Sequence, residues 1–507
     1  MKTLFRILAL IPGLLAAPAA VADVIVSAPI DVVGNLSLTD FTSNNYGGRT
    51  YKDWGNEPFV AVNPLNTNQI VVSSFAFGTS STTSGASIFY STNAGASWTT
   101  QFSVPAPSPG IRIPFDWNFA YDRSGTLHGT ILGGCNTCNI YQGSTANPTS
   151  LAAWTYTALG SQINTPSSTG LADQPWIAVR DGNVAVAYDV FASGNVSERV
   201  AVSTNNGATF TIDNQINNGP RPSGFNPGTR ITTDASGTIY AIFGISSGAV
   251  SPGVQNMSYY LNRSRDNGVT WDFNGSSAVG GILIDSGLSR QSDLSGTQAS
   301  NTWFANVNNL RGNITAIASD QAGSHIYTLI GRQDASGIDR IYLASYVPSG
   351  TNLVQAHEIA ISTTGQRAAL PSITVLNNGI VVVEYETFNA LDGRVHVHVA
   401  TSDDFGATIA SDIDEYSFTP LTVQQATGST TADREFGDYL FLTSVGDTFY
   451  GVFAGVGDVN TGGINTTGLV DPFLFSGVAE VPEPGSFMLL AAALLGFGII
   501  RRRRIHP

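Results

Sequence analysis

The stretch Ser264-Arg265-Asp266-Asn267-Gly268-Val269-Thr270-Trp271 decides the fold, because its pattern occurs four times in this 507-residue chain. The pattern is Ser-x-(Asp/Asn)-x-Gly-x-(Ser/Thr), followed by an aromatic or aliphatic residue. The Asp or Asn side chain can accept backbone N–H groups within a turn, the glycine can take a positive φ, and the last residue can pack between sheets. Four turns of one kind, separated by strand-like sequence, predict a repeated antiparallel architecture.

These octamers resemble the Asp-box, or BNR, repeat of sialidase-like β-propellers. The copy at 264–271 matches the repeat fully, two copies have Asn in place of Asp, and the fourth ends in Ile409. The resemblance implies structural roles for Ser91, Asn93, Gly95 and Trp98, for Ser203, Asn205, Gly207 and Phe210, for Ser264, Asp266, Gly268 and Trp271, and for Ser402, Asp404 and Gly406.

A second repeat is a pair of short strands joined by a turn that holds Gly, Asn or Asp. Seven such pairs occur, at 58–73, 118–132, 175–188, 230–244, 314–331, 371–385 and 439–454. Their spacing is mostly roughly 55–65 residues, near the ~40–50 of a four-stranded propeller blade with enlarged loops. An all-β chain with a seven-bladed β-propeller over residues 45–478 is therefore predicted. Six blades is the alternative, if the last pair completes the first blade or if one pair is an insertion.

Residues 23–44 precede the propeller as a lead-in segment. They contain Val24-Ile25-Val26, which either adds a strand that closes the ring or simply leads into it. Residues 1–22 have the features of a secretory signal peptide: Lys2 and Arg6, an apolar stretch, and an A-x-A site ending at Ala22. Export by the Sec pathway, with cleavage after Ala22, is the expectation.

The C-terminal segment 479–507 has three parts in a fixed order. Pro482, Glu483 and Pro484 are followed by an apolar run at 486–500, which is expected to be helical, and then by the basic cluster Arg501, Arg502, Arg503 and Arg504. Apolar residues followed by arginines predict a bilayer segment with its basic end in the cytoplasm. This ending resembles the PEP-CTERM sorting signal of Gram-negative bacteria. The resemblance implies an exosortase-type processing enzyme as partner, transient retention in the inner membrane, and then release or display at the cell surface.

Charge excludes nucleic acid as a partner. The chain has 23 basic and 37 acidic residues, of which six basic and one acidic lie in residues 1–22 and 481–507, so the remainder has 17 basic and 36 acidic residues and a net charge of −19. Polyanion binding requires clustered Lys and Arg, and Lys52 is the only lysine left. Cys135 and Cys138 are the only cysteines, and export favours a local disulfide between them over free or metal-bound thiols.

Catalytic candidates follow from the sialidase resemblance, which implies three carboxylate-binding arginines, a Tyr nucleophile assisted by Glu, and an Asp acid/base. Ile111-Arg112-Ile113-Pro114 partly matches the family motif that supplies the first arginine, although it follows the first octamer, whereas the family motif precedes it. A surface or loop-anchoring role is the alternative for Arg112. The remaining candidates are Arg230, Arg311, Arg367, Glu384, Tyr385, Glu386, Asp438 and Tyr439.

Alternation places Glu384 and Glu386 on one face of a strand, which we interpret as a solvent-exposed charged face. His396 and His398 also share a strand face, but no third ligand has a suitable spacing, so neither a metal nor another cofactor is predicted. The preferred function is a non-catalytic surface or secreted protein that binds exopolysaccharide, another glycan or a surface protein. The alternative is an exo-α-sialidase-like glycoside hydrolase.

Overall fold

The computed structural model is an all-β ring of seven blades. It describes residues 23–32, 44–46, 49–51, 56–75, 85–105, 115–133, 139–149, 154–159, 170–192, 195–217, 221–222, 228–251, 254–275, 279–290, 304–305, 315–362, 365–420, 436–456 and 470–480. Within these ranges, no helix is both long and apolar enough to span a bilayer. The proposed signal peptide, the C-terminal sorting helix, Arg112, Arg311, Cys135 and Cys138 all lie outside the described residues.

The first four strands are short and precede blade 1. They are β1 (Asp23–Val26), β2 (Ile30–Asp31), β3 (Asn44–Tyr46) and β4 (Arg49–Tyr51). Blades 1 and 2 consist of β5 (Asn56–Val62), β6 (Ile70–Phe75), β7 (Gly85–Ser91) and β8 (Thr99–Pro105), and of β9 (Phe115–Tyr121), β10 (Leu127–Gly133), β11 (Asn139–Thr145) and β12 (Thr155–Ala158). Blades 3 and 4 consist of β13 (Gly170–Arg180), β14 (Asn183–Ala192), β15 (Asn195–Ser203) and β16 (Ile212–Gln215), with β17 (Arg221–Pro222) beside β15, and of β18 (Arg230–Thr233), β19 (Ile239–Ser251), β20 (Val254–Ser264) and β21 (Ile282–Arg290).

The remaining blades follow the same order. Blades 5 and 6 consist of β22 (Thr315–Ser319), β23 (Ile326–Gln333), β24 (Asp339–Ser349) and β25 (Asn352–Ala360), and of β26 (Arg367–Val375), β27 (Val381–Asn389), β28 (Arg394–Ser402) and β29 (Ser411–Phe418). Blade 7 consists of β30 (Phe441–Val445), β31 (Thr448–Val456), β32 (Val470–Glu480) and β1. The seven-bladed propeller predicted from the spacing is thus confirmed, and the six-bladed alternative is wrong.

The ring is closed by the beginning of the chain. β1 pairs with β32 as the outermost strand of blade 7, with Asp23 opposite Glu480 and Val26 opposite Gly477. Val24-Ile25-Val26 therefore supplies a ring-closing strand, the first of the two alternatives considered for this segment. Because a strand from the N-terminal side of the propeller completes the last blade, blades 7 and 1 are joined and the ring is closed.

Apolar side chains fill the interfaces between neighbouring blades. The buried residues form seven clusters, one at each interface, and the Val- and Ile-rich central strands of each blade contribute to both of its interfaces. Such strands are covered on both faces, which explains their nearly continuous hydrophobic runs. The first strand of each blade lies innermost, so all seven inner strands surround one axis and run in the same direction. We call the face where they begin the upper face and the face where they end the lower face.

The four octamers form one kind of turn on the lower face, between the third and fourth strands of blades 1, 3, 4 and 6. In each, the serine hydroxyl accepts the glycine N–H at 2.8–3.0 Å. The same hydroxyl donates to the Asn or Asp side chain, which accepts the N–H of the following Ser or Thr at 2.8–2.9 Å. These hydrogen bonds of the octamer turns are thus all made within eight residues.

Each octamer turn also joins its blade to the preceding one. The glycines lie against the third strand of that blade: Gly95 faces Leu474, Gly207 faces Gln142, Gly268 faces Val202 and Gly406 faces Leu343. The last residues, Trp98, Phe210, Trp271 and Ile409, pack into the apolar cluster at the same interface. The octamer turns therefore fix neighbouring blades to each other at the lower face.

Candidate functional site

A cavity of about 300 Å³ lies on the propeller axis and is lined by the inner strands of all seven blades. Among the described residues that line the cavity, two are arginines: Arg230 at the start of β18 and Arg180 at the end of β13. They therefore lie at opposite ends of the cavity. The upper end, around Arg230, is where charged and aromatic side chains of several blades meet.

A repeated backbone conformation shapes this upper end. Near the start of the inner strand in six of the blades, one residue has a positive φ, between 49° and 80°: Glu57, Asp116, Gln174, Gly228, Leu370 and Gly437. Residues with side chains rarely adopt this left-handed region. Strand register also shifts here in blades 1, 3 and 6, so a β-bulge redirects the side chains.

The two glycines in this set leave room for side chains of the neighbouring blade. A Cβ added at Gly437 would collide with the Glu57 side chain, and one at Gly228 would collide with the side chain of Gln174. Glu57 in turn binds blade 7: its N–H donates to the Phe436 carbonyl at 3.3 Å, and one of its carboxylate oxygens accepts the N–H of Asp438 at 3.2 Å. Glu57 and Asp438 are both buried, so a buried carboxylate of the first blade binds the backbone of the last.

Arg230 is the central cation of the upper end. It is buried, and its guanidinium carbon lies 4.2 Å from the ring centroid of Trp176, within the range of a cation–π contact. Its Nε has no hydrogen-bond partner among the described residues. Burial lowers the pKa of Arg230, while the nearby Asp189, Tyr439, Asp438 and Asp116 oppose that shift. Arginine nevertheless stays charged in proteins, so a buried positive charge faces the cavity.

A layer of buried acids supports Arg230 from blade 3. Thr229, its chain neighbour, donates its hydroxyl to Glu198 at 2.5 Å and lies 3.4 Å from Asp189. The Glu198 N–H donates to the Asn217 side chain at 3.1 Å. We call Glu57, Asp116, Asp189, Arg230, Asp438 and Tyr439 the mouth cluster.

Tyr439 contributes an aromatic ring and a buried hydroxyl to the mouth cluster. Its hydroxyl has no hydrogen-bond partner among the described residues. Burial raises its pKa well above the ordinary value, and Glu57 and Asp116 raise it further, while Arg230 lowers it. Its ring packs edge-on against Trp176 at 5.5 Å, and Phe59 and Phe441 stack beside the pair at 3.4 Å. Four rings from blades 1, 3 and 7 thus form an aromatic cluster at the axis.

Three of the candidates from the sequence, Arg230, Asp438 and Tyr439, come together at the mouth. Arg367 is not among the residues that line the cavity; it lies 3.9 Å from Asp339, which also binds Arg290 at 2.6 Å. Tyr385 is buried and donates its hydroxyl to Asp412 at 2.8 Å. Three converging arginines therefore do not occur among the residues that the structure describes.

The expectation that Glu384 and Glu386 form a solvent-exposed face is wrong. Both are fully buried at the interface of blades 6 and 7, opposite Val399 and Val397 of β28. None of their four carboxyl oxygens has a hydrogen-bond partner among the described residues. Burial raises the pKa of both well above the ordinary value, and the neighbouring Glu386 raises that of Glu384 further, so burial favours the protonated, neutral form of both. The alternation correctly predicts that both side chains lie on one face of β27, but blade 7 covers that face.

His396 and His398 each bind acidic side chains at the outer part of blade 6. His396 contacts Asp414 at 2.7 Å and Asp392 at 3.0 Å, while His398 contacts Asp412 at 3.3 Å and the Thr387 hydroxyl at 2.9 Å. In the described part of the chain, no three His, Cys, Asp or Glu side chains are arranged to hold a metal ion.

Several members of the site were not predicted from the sequence, namely Glu57, Asp116, Gln174, Trp176 and Asp189. Aligning the seven strand pairs on their first strand would have found part of it. Glu57-Pro58 and Gln174-Pro175 occupy the same place in blades 1 and 3 as Leu370-Pro371 in blade 6. A polar residue before proline at the start of an inner strand is the signal that was available.

One protein-family model matches the chain: residues 480–504 match the PEP-CTERM protein-sorting motif, which confirms the C-terminal resemblance. The motif implies an exported protein sorted by an exosortase. No curated protein matches the chain.

Several solved structures are similar to the chain. One is a protein of unknown function from Dyadobacter fermentans, at 11% identity and a TM-score of 0.41, covering 92% of this chain and 100% of that one. Another is the Penicillium chrysogenum α-L-arabinanase complexed with arabinobiose, at 10% identity and a TM-score of 0.46, covering 90% and 99%. A third is the Trypanosoma rangeli sialidase complexed with sialic acid, at 12% and 0.39, covering 79% of this chain but only 58% of the sialidase. At these values the similarities say nothing about activity.

Proposed function

We propose that this protein is an exported propeller, retained at the membrane by its sorting segment and then displayed or released, which binds an uncharged carbohydrate at its mouth cluster without turning it over. The observation that carries the proposal is the aromatic cluster at the upper end of the axial cavity, surrounded by buried polar groups. Small-molecule sites typically combine apolar and aromatic walls with a few fixed polar groups.

The aromatic and polar groups at the upper end of the cavity are suited to binding a sugar ring. Trp176 lines the cavity and offers an apolar ring surface, and Arg230 offers N–H donors for hydroxyl oxygens. The strongly acidic net charge of the chain disfavours polyanionic glycans, since a negative surface repels them.

Tyr439 argues against catalysis of the sialidase type. A tyrosine nucleophile is activated by a lowered pKa or by an adjacent base. Burial and the acidic neighbours raise the pKa of Tyr439 instead, which disfavours the phenolate. The Tyr439 hydroxyl also donates to no base among the described residues, so its surroundings favour binding over bond cleavage.

The binding proposal is tested by affinity electrophoresis of the protein through gels that contain neutral exopolysaccharides. We expect at least one polysaccharide to retard the protein, and Trp176→Ala or Arg230→Gln to weaken the interaction by about tenfold or more. Arg123→Gln is the matched control, because Arg123 is an exposed arginine that pairs with Asp181 on the lower face. Equal retardation of Arg230→Gln and Arg123→Gln would exclude the mouth as the binding site.

The glycoside hydrolase remains the second candidate because Tyr439, Glu57 and Arg230 lie together at the mouth. Its test is turnover of a fluorogenic sialoside by the folded protein. Turnover that is lost in Tyr439→Phe would establish the hydrolase and overturn the non-catalytic proposal. Arg112→Ala tests in the same assay whether Arg112 binds the substrate carboxylate.

A further inference from the structure

Both segments that direct the chain to the membrane leave the propeller at one point on the lower face. β32 runs from the upper to the lower face and ends at Glu480, where the matched sorting motif begins. Asp23 lies opposite Glu480 in the strand register, and the expected signal cleavage site after Ala22 directly precedes it. The mouth cluster lies at the other end of the axis.

The link between the propeller and the apolar run is short. Residues 481–485 separate Glu480 from the run at 486–500. Five extended residues span at most about 17 Å. A nine-residue strand such as β27 is about 30 Å long. The link is therefore too short to pass along the height of a blade, and the upper face cannot lie flat on the bilayer while the apolar run is inserted.

The lower face also exposes large apolar side chains at the tips of its turns. Leu65, Val269 and Phe405 belong to blades 1, 4 and 6 and are 68%, 55% and 51% exposed. Single exposed apolar residues are ordinary in soluble proteins, but these three project from the same face. The lower face also carries acidic groups such as Asp181 and Asp403, so attraction to anionic lipid is not what would hold it there.

We propose that, while the sorting segment remains in the membrane, the lower face lies against the lipid surface and the mouth cluster points away from it. The lipid surface is the partner of the lower face, and the short link rather than charge sets the orientation. This inference rests on the membrane-retention part of the proposed function. It is independent of whether the mouth binds a carbohydrate.

The orientation is tested with the full chain in phosphatidylcholine vesicles that contain a nickel-chelating lipid. Nitroxide labels are attached at Leu65→Cys, Val269→Cys or Leu391→Cys, each combined with Cys135→Ser and Cys138→Ser. Leu391 is 98% exposed in the hairpin between β27 and β28 on the upper face and serves as the matched control. We expect nickel to enhance the relaxation of the labels at 65 and 269 several-fold more than at 391. Vesicles without nickel give the baseline.

The outcomes separate the two proposals. Equal enhancement at all three positions, or the largest enhancement at 391, would overturn the orientation and leave membrane retention intact. If the chain fails to float with the vesicles, both membrane retention and the orientation are wrong. Unchanged far-UV circular dichroism and equal flotation of the three variants show that they share one fold.

Discussion

The two ends of the propeller axis are built in opposite ways. On the lower face, the octamer turns are held by hydrogen bonds between residues two to four positions apart. At the upper end, the Asp438 N–H binds the Glu57 carboxylate across 381 positions of sequence. The serine, glycine and Asn or Asp residues of the octamer turns thus bond locally, whereas the upper end brings together a buried arginine and acidic residues from several blades. Locally determined turns and a charge cluster assembled over long sequence distances are therefore separated along the axis.

The largest effect is expected from Gly437→Ala at the upper end. Gly437 has φ +80°, and an added Cβ would lie 2.9 Å from the backbone N of Glu57. Backbone strain and this collision together should destabilise the protein by about 4 kcal/mol. Gly406→Ala is the control on the lower face, because its φ is +82° but its nearest contact is 3.6 Å, so only the strain of about 1 kcal/mol remains. Thermal unfolding by calorimetry measures both, and equal losses would contradict the contrast.

The second prediction concerns the buried acids at the interface of blades 6 and 7. Because the folded protein raises the pKa of Glu384 and Glu386, it binds protons that the unfolded chain releases. Stability is therefore greatest below the ordinary Glu pKa and falls as the pH rises above it. The double variant Glu384→Gln/Glu386→Gln should be more stable than the wild type by about 3 kcal/mol at pH 8, with a flatter dependence on pH.

Urea unfolding between pH 4 and pH 9 provides the measurement. Glu358→Gln serves as a control, because Glu358 is exposed and paired with Arg332 at 2.6 Å. A wild-type stability that does not fall with rising pH would contradict the burial of two neutral carboxyl groups.

A smaller loss of stability is expected when the serine of an octamer turn on the lower face is replaced. Ser264→Ala removes the hydroxyl that accepts the buried Gly268 N–H at 2.8 Å and donates to Asp266 at 2.9 Å. An unpaired buried N–H costs about 1–3 kcal/mol, and we expect a loss near 2 kcal/mol. Ser97→Ala is the control, since Ser97 is an exposed octamer residue whose hydroxyl accepts only from Asn93. Calorimetry should show a small change for Ser97→Ala, and a small change for Ser264→Ala would mean that the turn does not depend on its serine.

The smallest effect is expected from Asp266→Asn, with a change below about 0.5 kcal/mol. Asp266 accepts the Thr270 hydroxyl at 2.7 Å, while Asn205 donates to the Thr209 hydroxyl at 2.9 Å in the corresponding turn. The substitution therefore only reverses the direction of one hydrogen bond. Hydrogen bonds from Thr270 lower the pKa of Asp266, so its contribution is lost as the pH falls through that lowered value. Unfolding at pH 7 and pH 3 should show the variant losing less stability in acid than the wild type.

The lower face could be predicted from the sequence because its determinants are local. The octamer turns are predicted from residues that lie within eight positions of each other. The number of blades is predicted from the seven short strand pairs rich in Val and Ile. The upper end could be predicted only in fragments. Arg230, Asp438 and Tyr439 were candidates, but their joining with Glu57 and Trp176 depends on ring closure and on positive φ at residues with side chains. Alternation likewise cannot tell whether a neighbouring blade covers the face that holds Glu384.

The pairing of Asp23 with Glu480 has a mechanical consequence. A chain tethered beyond Glu480 transmits any pull on the cell surface into β32, which is hydrogen-bonded on one side to β31 and on the other to β1. The pull acts along the strand, so both ladders are loaded in shear and their bonds resist together instead of breaking one at a time. The first residues of the folded chain thereby bear load for the last ones, and the tether is anchored in the body of the ring rather than at a frayed end.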